Sequence, residues 1–142
     1  MPESPTIHCM NWLIRQYNYF KAYVTKFSVV GISGFIVNQG ILALLTEWLH
    51  MRVAFAGIIA IELSILSNFL LNNFWTWRDK RDQPVSIRFI KYHLVTLISG
   101  GLNYIVLLTL TYMGMHPLIA NLFGIALGTI VNFFLNHFWT FK

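Results

Sequence analysis

The chain has 142 residues, of which 56% are hydrophobic, 16% are aromatic and only 11% are charged. A soluble domain carries about 25% charged residues, and a globule this small needs that charge to cover its surface. The composition therefore excludes a soluble enzyme, a disordered tail and a basic module that binds nucleic acid. It indicates a chain whose solvent is the lipid bilayer. The single cysteine, Cys9, excludes an intramolecular disulfide and a cysteine-rich metal site.

The first 24 residues precede the first long apolar run. Trp12, Tyr17 and Phe20 recur at helical spacing, with Arg15 and Lys21 between them. This pattern is typical of an amphipathic helix that lies on the membrane surface. A partly disordered tail with an aromatic anchor is the alternative. We predict no cleaved signal peptide, because no cleavage pattern of small residues follows.

Four stretches are long and apolar enough to cross a bilayer, which takes about 20 helical residues. They cover 25–49, 53–76, 91–113 and 117–141. Only a few residues separate the first stretch from the second and the third from the fourth, so each pair is predicted to form a helical hairpin. The loop between the hairpins, 77–90, is longer and basic.

The basic residues are distributed unevenly along the chain. Nine of the ten lie before or at the start of the first span, in or beside the middle loop, or at the C-terminus, and only Arg52 lies in a short hairpin connection. Because Lys and Arg accumulate in cytoplasmic segments, both termini and the middle loop are predicted to be cytoplasmic.

The ends of the second and fourth spans repeat one another. Residues 67–77 read SNFLLNNFWTW and residues 131–141 read VNFFLNHFWTF, at an offset of 64. Upstream, Asn38 corresponds to Asn103 at an offset of 65. Each copy has an even number of spans, so the copies are predicted to be parallel, with a pseudo-twofold axis along the membrane normal.

The predicted fold class is therefore an all-α membrane protein. Its four transmembrane helices form two parallel helical-hairpin repeats, with an N-terminal interfacial helix. As domain organisation we predict one transmembrane domain over 1–142. It comprises an interfacial segment (1–24), repeat 1 (25–76), the cytoplasmic basic loop (77–90) and repeat 2 (91–142).

A Phe-x-x-x-Gly start (Phe27 to Gly31), a mid-helix Asn and the closing Asn-Phe-x-x-Asn-x-x-Trp-Thr-aromatic motif resemble the GtrA-like family. The resemblance extends from about Lys21 to the end of the chain. It implies a small protein of the bacterial inner membrane that translocates a polyprenyl-phosphate-linked sugar for modification of cell-surface polysaccharide.

Polar residues inside the spans are candidates for binding such a cargo. Two pairs of Asn at i, i+4 each share one helix face, where they can hydrogen-bond a phosphate or a sugar. They can equally form contacts between helices, as Asn often does in membranes. The predicted substrate-binding residues are Asn38, Glu62, Asn68, Asn72, Asn103, Asn132 and Asn136.

Glu62 lies near the predicted middle of the second span. An ionisable side chain there costs roughly 2.5–3.5 kcal/mol on insertion scales and indicates a functional site. One hypothesis is that Glu62 changes its protonation state and couples proton movement to transport. The alternative is a neutral Glu62 that is hydrogen-bonded to Asn38 or Asn103.

Basic and aromatic residues surround the predicted cytoplasmic end. The cations can attract a lipid phosphate, although membrane orientation alone also explains them. They are Lys26, Arg78, Lys80, Arg81, Arg88 and Lys91. Trp75, Trp77 and Trp139 are predicted to form an interfacial aromatic belt.

No catalytic constellation is evident in the sequence. His93 and His137 lack metal-ligand spacing and are interpreted as interfacial polar contacts. We therefore predict no enzymatic activity, no metal and no cofactor.

The predicted partners are membrane lipid, the lipid-linked sugar and a second copy of the chain, since four helices enclose little space for a sugar. Two alternative functions remain at this point. One is a non-transporting anchor that recruits a polyprenyl-phosphate glycosyltransferase. The other is a proton-coupled exporter of small cations.

Overall fold

The described part of the chain is helical. The structure is a computed structural model, and it describes residues 5–80 and 82–142. Four of its helices are long and apolar enough to cross a membrane, which confirms the predicted all-α membrane fold. The elements are α1 (Pro5–Ala43), π1 (Leu44–Trp48), α2 (Val53–Leu71), π2 (Asn72–Thr76), α3 (Val85–Tyr112), α4 (Pro117–Leu135) and π3 (Asn136–Thr140).

The chain divides into two compact units, the first ending at Thr76 and the second beginning at Trp77. In the first unit α1 packs against α2, and in the second α3 packs against α4. Each hairpin reverses direction through one residue with a left-handed backbone, His50 in the first and Gly114 in the second. Pro117 then begins α4, where its fixed φ and missing N–H suit the first helical turn.

The N-terminal segment is continuous with the first span. Helix α1 has 39 residues, or about 58 Å at 1.5 Å per residue, which is far more than a bilayer core requires. No Gly or Pro occurs between Thr6 and Val30, so nothing in the local sequence breaks the helix near residue 24, where the interfacial helix was expected to end. The location of this segment on the membrane surface stays a prediction.

The two helices of each hairpin approach each other where small residues lie. In the first unit the Ser64 hydroxyl donates to the Gly34 carbonyl oxygen (2.8 Å). In the second unit the Ser99 carbonyl oxygen lies 2.9 Å from where a Cβ on Gly128 would stand. Small residues at such contacts let helix backbones come close in a membrane.

Two Asn side chains fill the space beside these contacts. The Asn68 amide occupies the position that a Cβ on Gly34 would take, and the Asn103 amide does the same at Gly124. Both Asn residues are half-buried. These two predicted substrate-binding residues are therefore packed against the neighbouring helix of their own hairpin.

The outer faces of the helices carry large apolar side chains. Phe35, Ile58, Leu97 and Leu122 are each about 60% exposed or more. The buried apolar residues include small ones such as Ala60 and aromatic ones such as Phe69 and Trp77. The many exposed large apolar side chains suit helices whose surroundings are lipid.

Replacing Gly124 by Ala tests the close approach of α3 and α4. The new Cβ would overlap the Asn103 amide and lie 2.7 Å from the Asn103 carbonyl oxygen, which cannot move without its helix. We expect the free energy of unfolding in detergent to fall by about 1–3 kcal/mol.

Gly101→Ala is the matched control, because no atom lies within 4 Å of its added Cβ. This variant should keep its stability or gain slightly from the higher helix propensity of Ala. Equal stability of the two variants would contradict the packing described above.

Candidate functional site

Both copies of the closing motif end in a π-helical turn. The turns π2 and π3 occupy equivalent positions, 64 residues apart. Such turns are rare and frequently mark functional sites. In each copy the Asn that begins the turn and the Thr that ends it are buried: Asn72 and Thr76 in the first, Asn136 and Thr140 in the second.

The two turns use these residues differently. In π2 the Thr76 hydroxyl donates to Asn72 Oδ1 (2.8 Å). In the second unit Asn136 Nδ2 donates instead to Asn132 Oδ1, one turn earlier on α4 (2.7 Å). In the second unit the corresponding Asn is thus hydrogen-bonded to the preceding helix.

Two buried oxygens of π3 have no hydrogen-bond partner within the described residues, Asn136 Oδ1 and Thr140 Oγ1. Leaving a buried polar group unpaired costs about 1–3 kcal/mol. A water molecule or a ligand would recover that free energy, which makes the π3 end a candidate binding site.

Trp77 is the first residue of the second unit and is fully buried. Its ring stacks on Phe141, with centroids 4.6 Å apart and an interplanar angle of 8°. Its indole Nε1–H donates to His137 Nδ1 (3.1 Å). Trp77 is thus packed inside its own unit, and its predicted place in an interfacial belt stays a prediction. Trp75 and Trp139 are exposed, and their place in such a belt stays a prediction.

His137 lies at the centre of this end of the second unit. Its ring is buried and stacks on Phe133, with centroids 5.6 Å apart. Its second nitrogen, Nε2, lies 3.0 Å from Lys80 Nζ. Partial burial lowers the pKa of Lys80, and the nearby Asp79 carboxylate opposes this effect.

A second lysine contacts the same π turn. Lys91 Nζ donates to Gln83 Oε1 (2.8 Å) and to the Trp139 carbonyl oxygen (3.4 Å). It also lies 5.3 Å from the centroid of the Trp139 ring, within the range of a cation–π interaction. Arg88, one turn earlier on α3, is almost completely buried. We call Trp77, Lys80, Lys91 and His137 the π3 cluster.

The structure thus places three of the predicted phosphate-binding cations, Lys80, Arg88 and Lys91, at one end of the second unit. Arg78 is exposed and Lys26 is half-buried on α1 in the first unit. Arg81 lies outside the described residues.

The remaining predicted polar residues lie along the helices. Asn38 is half-buried on α1, and Glu62 lies on the exposed side of α2. The side-chain oxygen of Asn132 accepts a hydrogen bond from Asn136 Nδ2. Asn68 Oδ1 and Asn103 Oδ1 are buried without a hydrogen-bond partner within the described residues, and the binding of a substrate by these amides stays a prediction.

The sequence did not predict that His137 contacts Trp77 and Lys80. A signal for it exists, however, because the motif copies carry different polar residues at this position, Asn73 in the first and His137 in the second.

Comparison with known proteins is consistent with these observations. The family model described as GtrA/DPMS, transmembrane domain, matches residues 26–141. A protein of Pyrococcus furiosus named dolichol-phosphate mannosyltransferase is 42% identical over 113 residues, which is 80% of this chain. The aligned region covers only 32% of that relative. With four helices able to span a membrane, this multi-pass membrane chain belongs to the GtrA/DPMS transmembrane domain family.

Proposed function

We propose that the chain binds a polyprenyl-phosphate-linked sugar at the π3 cluster and translocates it across the bacterial inner membrane for modification of surface polysaccharide. The family match and the name of the Pyrococcus furiosus relative support this class of cargo, because dolichol phosphate is itself a polyprenyl phosphate. The chain acts without catalysing a reaction of its own.

The main observation in support of this proposal is that two lysines contact residues of π3. Lys80 contacts His137 and Lys91 contacts Trp139, at the polar end of a helix that can span the membrane. In our proposal this end lies at the depth of the lipid phosphates. Basic residues near such a surface attract anionic lipid by about 1 kcal/mol each.

Movement of the sugar requires a polar route through the membrane. In our proposal the headgroup leaves the π3 cluster and passes the polar residues of the spans while the prenyl tail stays in lipid. Glu62, on the exposed side of α2, serves as the protonation switch. Since four helices enclose little space for a sugar, the proposal includes a dimer, in which the exposed face of α2 meets a second copy.

A second candidate is a non-catalytic membrane module that serves a polyprenyl-phosphate glycosyltransferase. The relative from Pyrococcus furiosus favours it, because that protein is named a mannosyltransferase and the region matching this chain is only 32% of its length. In this case the π3 cluster holds the lipid phosphate for an enzyme on the cytoplasmic side.

Glu62→Gln tests translocation in vesicles reconstituted with the purified chain. The wild type should move a labelled polyprenyl-phosphate sugar from one leaflet to the other. The variant should be slower by about tenfold or more, equivalent to ~1.4 kcal/mol in the barrier, because a neutral amide cannot release a proton. Glu47→Gln removes a carboxylate from the exposed π1 turn and should leave the rate unchanged.

Vesicles without movement of the labelled lipid would contradict translocation. A glycosyltransferase added to the same vesicles then tests the second candidate. Faster sugar transfer in the presence of the chain, unaffected by Glu62→Gln, would assign the chain to that role.

The proposed orientation places the N-terminus in the cytoplasm. Cys9 is exposed and is the only cysteine in the sequence, so a membrane-impermeant thiol reagent reports its side of the membrane. We expect labelling only after permeabilisation. In a Cys9→Ser background, Met115→Cys in the connection between α3 and α4 should be labelled in intact cells. The reverse pattern would refute the predicted topology.

A further inference from the structure

The hydroxyl of Thr140 lacks a hydrogen bond that other helical threonines of this chain make. Thr96 and Thr111 each donate to the carbonyl oxygen four residues earlier. For Thr140 that oxygen belongs to Asn136, and it accepts instead from the Phe141 amide five residues later (2.9 Å), as in any π turn. Thr140 Oγ1 is buried and has no hydrogen-bond partner within the described residues.

The amide oxygen of Asn136 is in the same situation. Its Nδ2 donates to Asn132 Oδ1 (2.7 Å), while Asn136 Oδ1 is buried and has no hydrogen-bond partner within the part of the chain described. In the first copy of the motif the equivalent groups bond to each other, because the Thr76 hydroxyl donates to Asn72 Oδ1. The second copy therefore leaves open an acceptor and a hydroxyl that the first copy pairs.

These two groups define the chemistry of a ligand. An amide oxygen only accepts, whereas a hydroxyl both donates and accepts. The phosphodiester of a lipid-linked sugar carries acceptors only, so it cannot satisfy Asn136 Oδ1. A cation would be repelled, because Lys80 and Lys91 contact π3 and outnumber the Asp79 carboxylate that acts on this turn. The group that fits is a neutral hydroxyl, which donates to Asn136 and accepts from Thr140.

The surroundings of the pair are those of a site near the surface of its unit. Asn136 and Thr140 are fully buried, but Phe138 and Trp139, between them in the chain, are exposed. Lys91 contacts the Trp139 carbonyl oxygen. A cargo whose phosphate is held by this lysine has its sugar, which is bonded directly to the phosphate, beside the same turn.

We propose that Asn136 Oδ1 and Thr140 Oγ1 form a binding site for one hydroxyl group. The hydroxyl can belong to the sugar of a lipid-linked cargo or to a water molecule. That it belongs to a sugar rests on the proposed function. The hydrogen-bonding chemistry of the pair does not depend on that function, so the test separates the two ideas.

The first measurement compares the retention of two radiolabelled lipids, polyprenyl-phosphate mannose and polyprenyl phosphate, by the full chain in phosphatidylcholine nanodiscs. If a sugar hydroxyl occupies the site, the wild type should bind the mannose lipid about tenfold more tightly, as expected for one or two hydrogen bonds. Thr140→Val keeps the shape of the side chain but removes the hydroxyl, and it should lose most of this preference.

Two further variants serve as controls for this measurement. Thr140→Ser retains the hydroxyl and should retain the preference for the mannose lipid. Thr76→Val removes the corresponding hydroxyl of π2, which is already bonded to Asn72, and should leave the preference unchanged.

The second measurement detects water by NMR in the full chain labelled at its threonine methyl groups, without added lipid-linked sugar. Thr140→Ser identifies the Thr140 methyl signal by its loss. If water occupies the site, this methyl group should show a cross peak to water. The Thr76 methyl group should show none, because its hydroxyl is bonded to Asn72, and it therefore controls for exchange of hydroxyl protons.

A mannose preference that is lost in Thr140→Val supports the site and identifies a sugar as its ligand. A water cross peak at Thr140 without a mannose preference supports the site and identifies water. A preference that survives in Thr140→Val would overturn the site. The absence of both signals would also overturn it, since Thr140 would then donate to Asn136 as Thr76 does to Asn72.

The same measurements separate the site from the proposed function. If the wild type translocates the lipid while both signals are absent, the site is wrong although the proposed function stands. If the water cross peak is present and the mannose lipid neither binds nor moves, the site stands and the proposed function fails.

Discussion

Two helices in a lipid environment can pack closely only where a small residue allows their backbones to meet, and each hairpin of this chain depends on one such crossing. Lipid tails are as apolar as the helix surfaces, so burial of apolar area does not hold the helices together. At the crossing in the first unit Gly34 lies on α1 and Ser64 on α2. At the equivalent crossing in the second unit the residues are exchanged, with Ser99 on α3 and Gly128 on α4.

The exchange of Gly and Ser between the two helices shows which residues the close contact requires. Glycine can lie on either helix, provided that the residue facing it is also small. The space beside the crossing is then filled by an amide, Asn68 in one hairpin and Asn103 in the other. Polar side chains in these spans therefore have a structural use. At the π3 end, Asn136 Oδ1 and Thr140 Oγ1 are buried without a hydrogen-bond partner within the described residues.

Much of this architecture follows from local sequence. The four spans and the hairpins could be predicted because length, apolar content and short connections are properties of neighbouring residues. The burial of Trp77 could not, since its indole N–H meets His137, 60 residues away, and a Trp-Thr-aromatic sequence suits a membrane interface equally well. The π turns were also missed, because Asn pairs at i, i+4 fit an ordinary α-helix. The contacts of Lys80 and Lys91 with π3 depend on how the middle loop folds.

The two copies of the closing motif use their first Asn in different hydrogen bonds. The same motif places Asn72 and Thr76 in contact with each other in the first unit, whereas in the second Asn136 turns towards Asn132. The position that is Asn73 in one copy is His137 in the other. The polar side chains at the two ends of the repeat therefore differ.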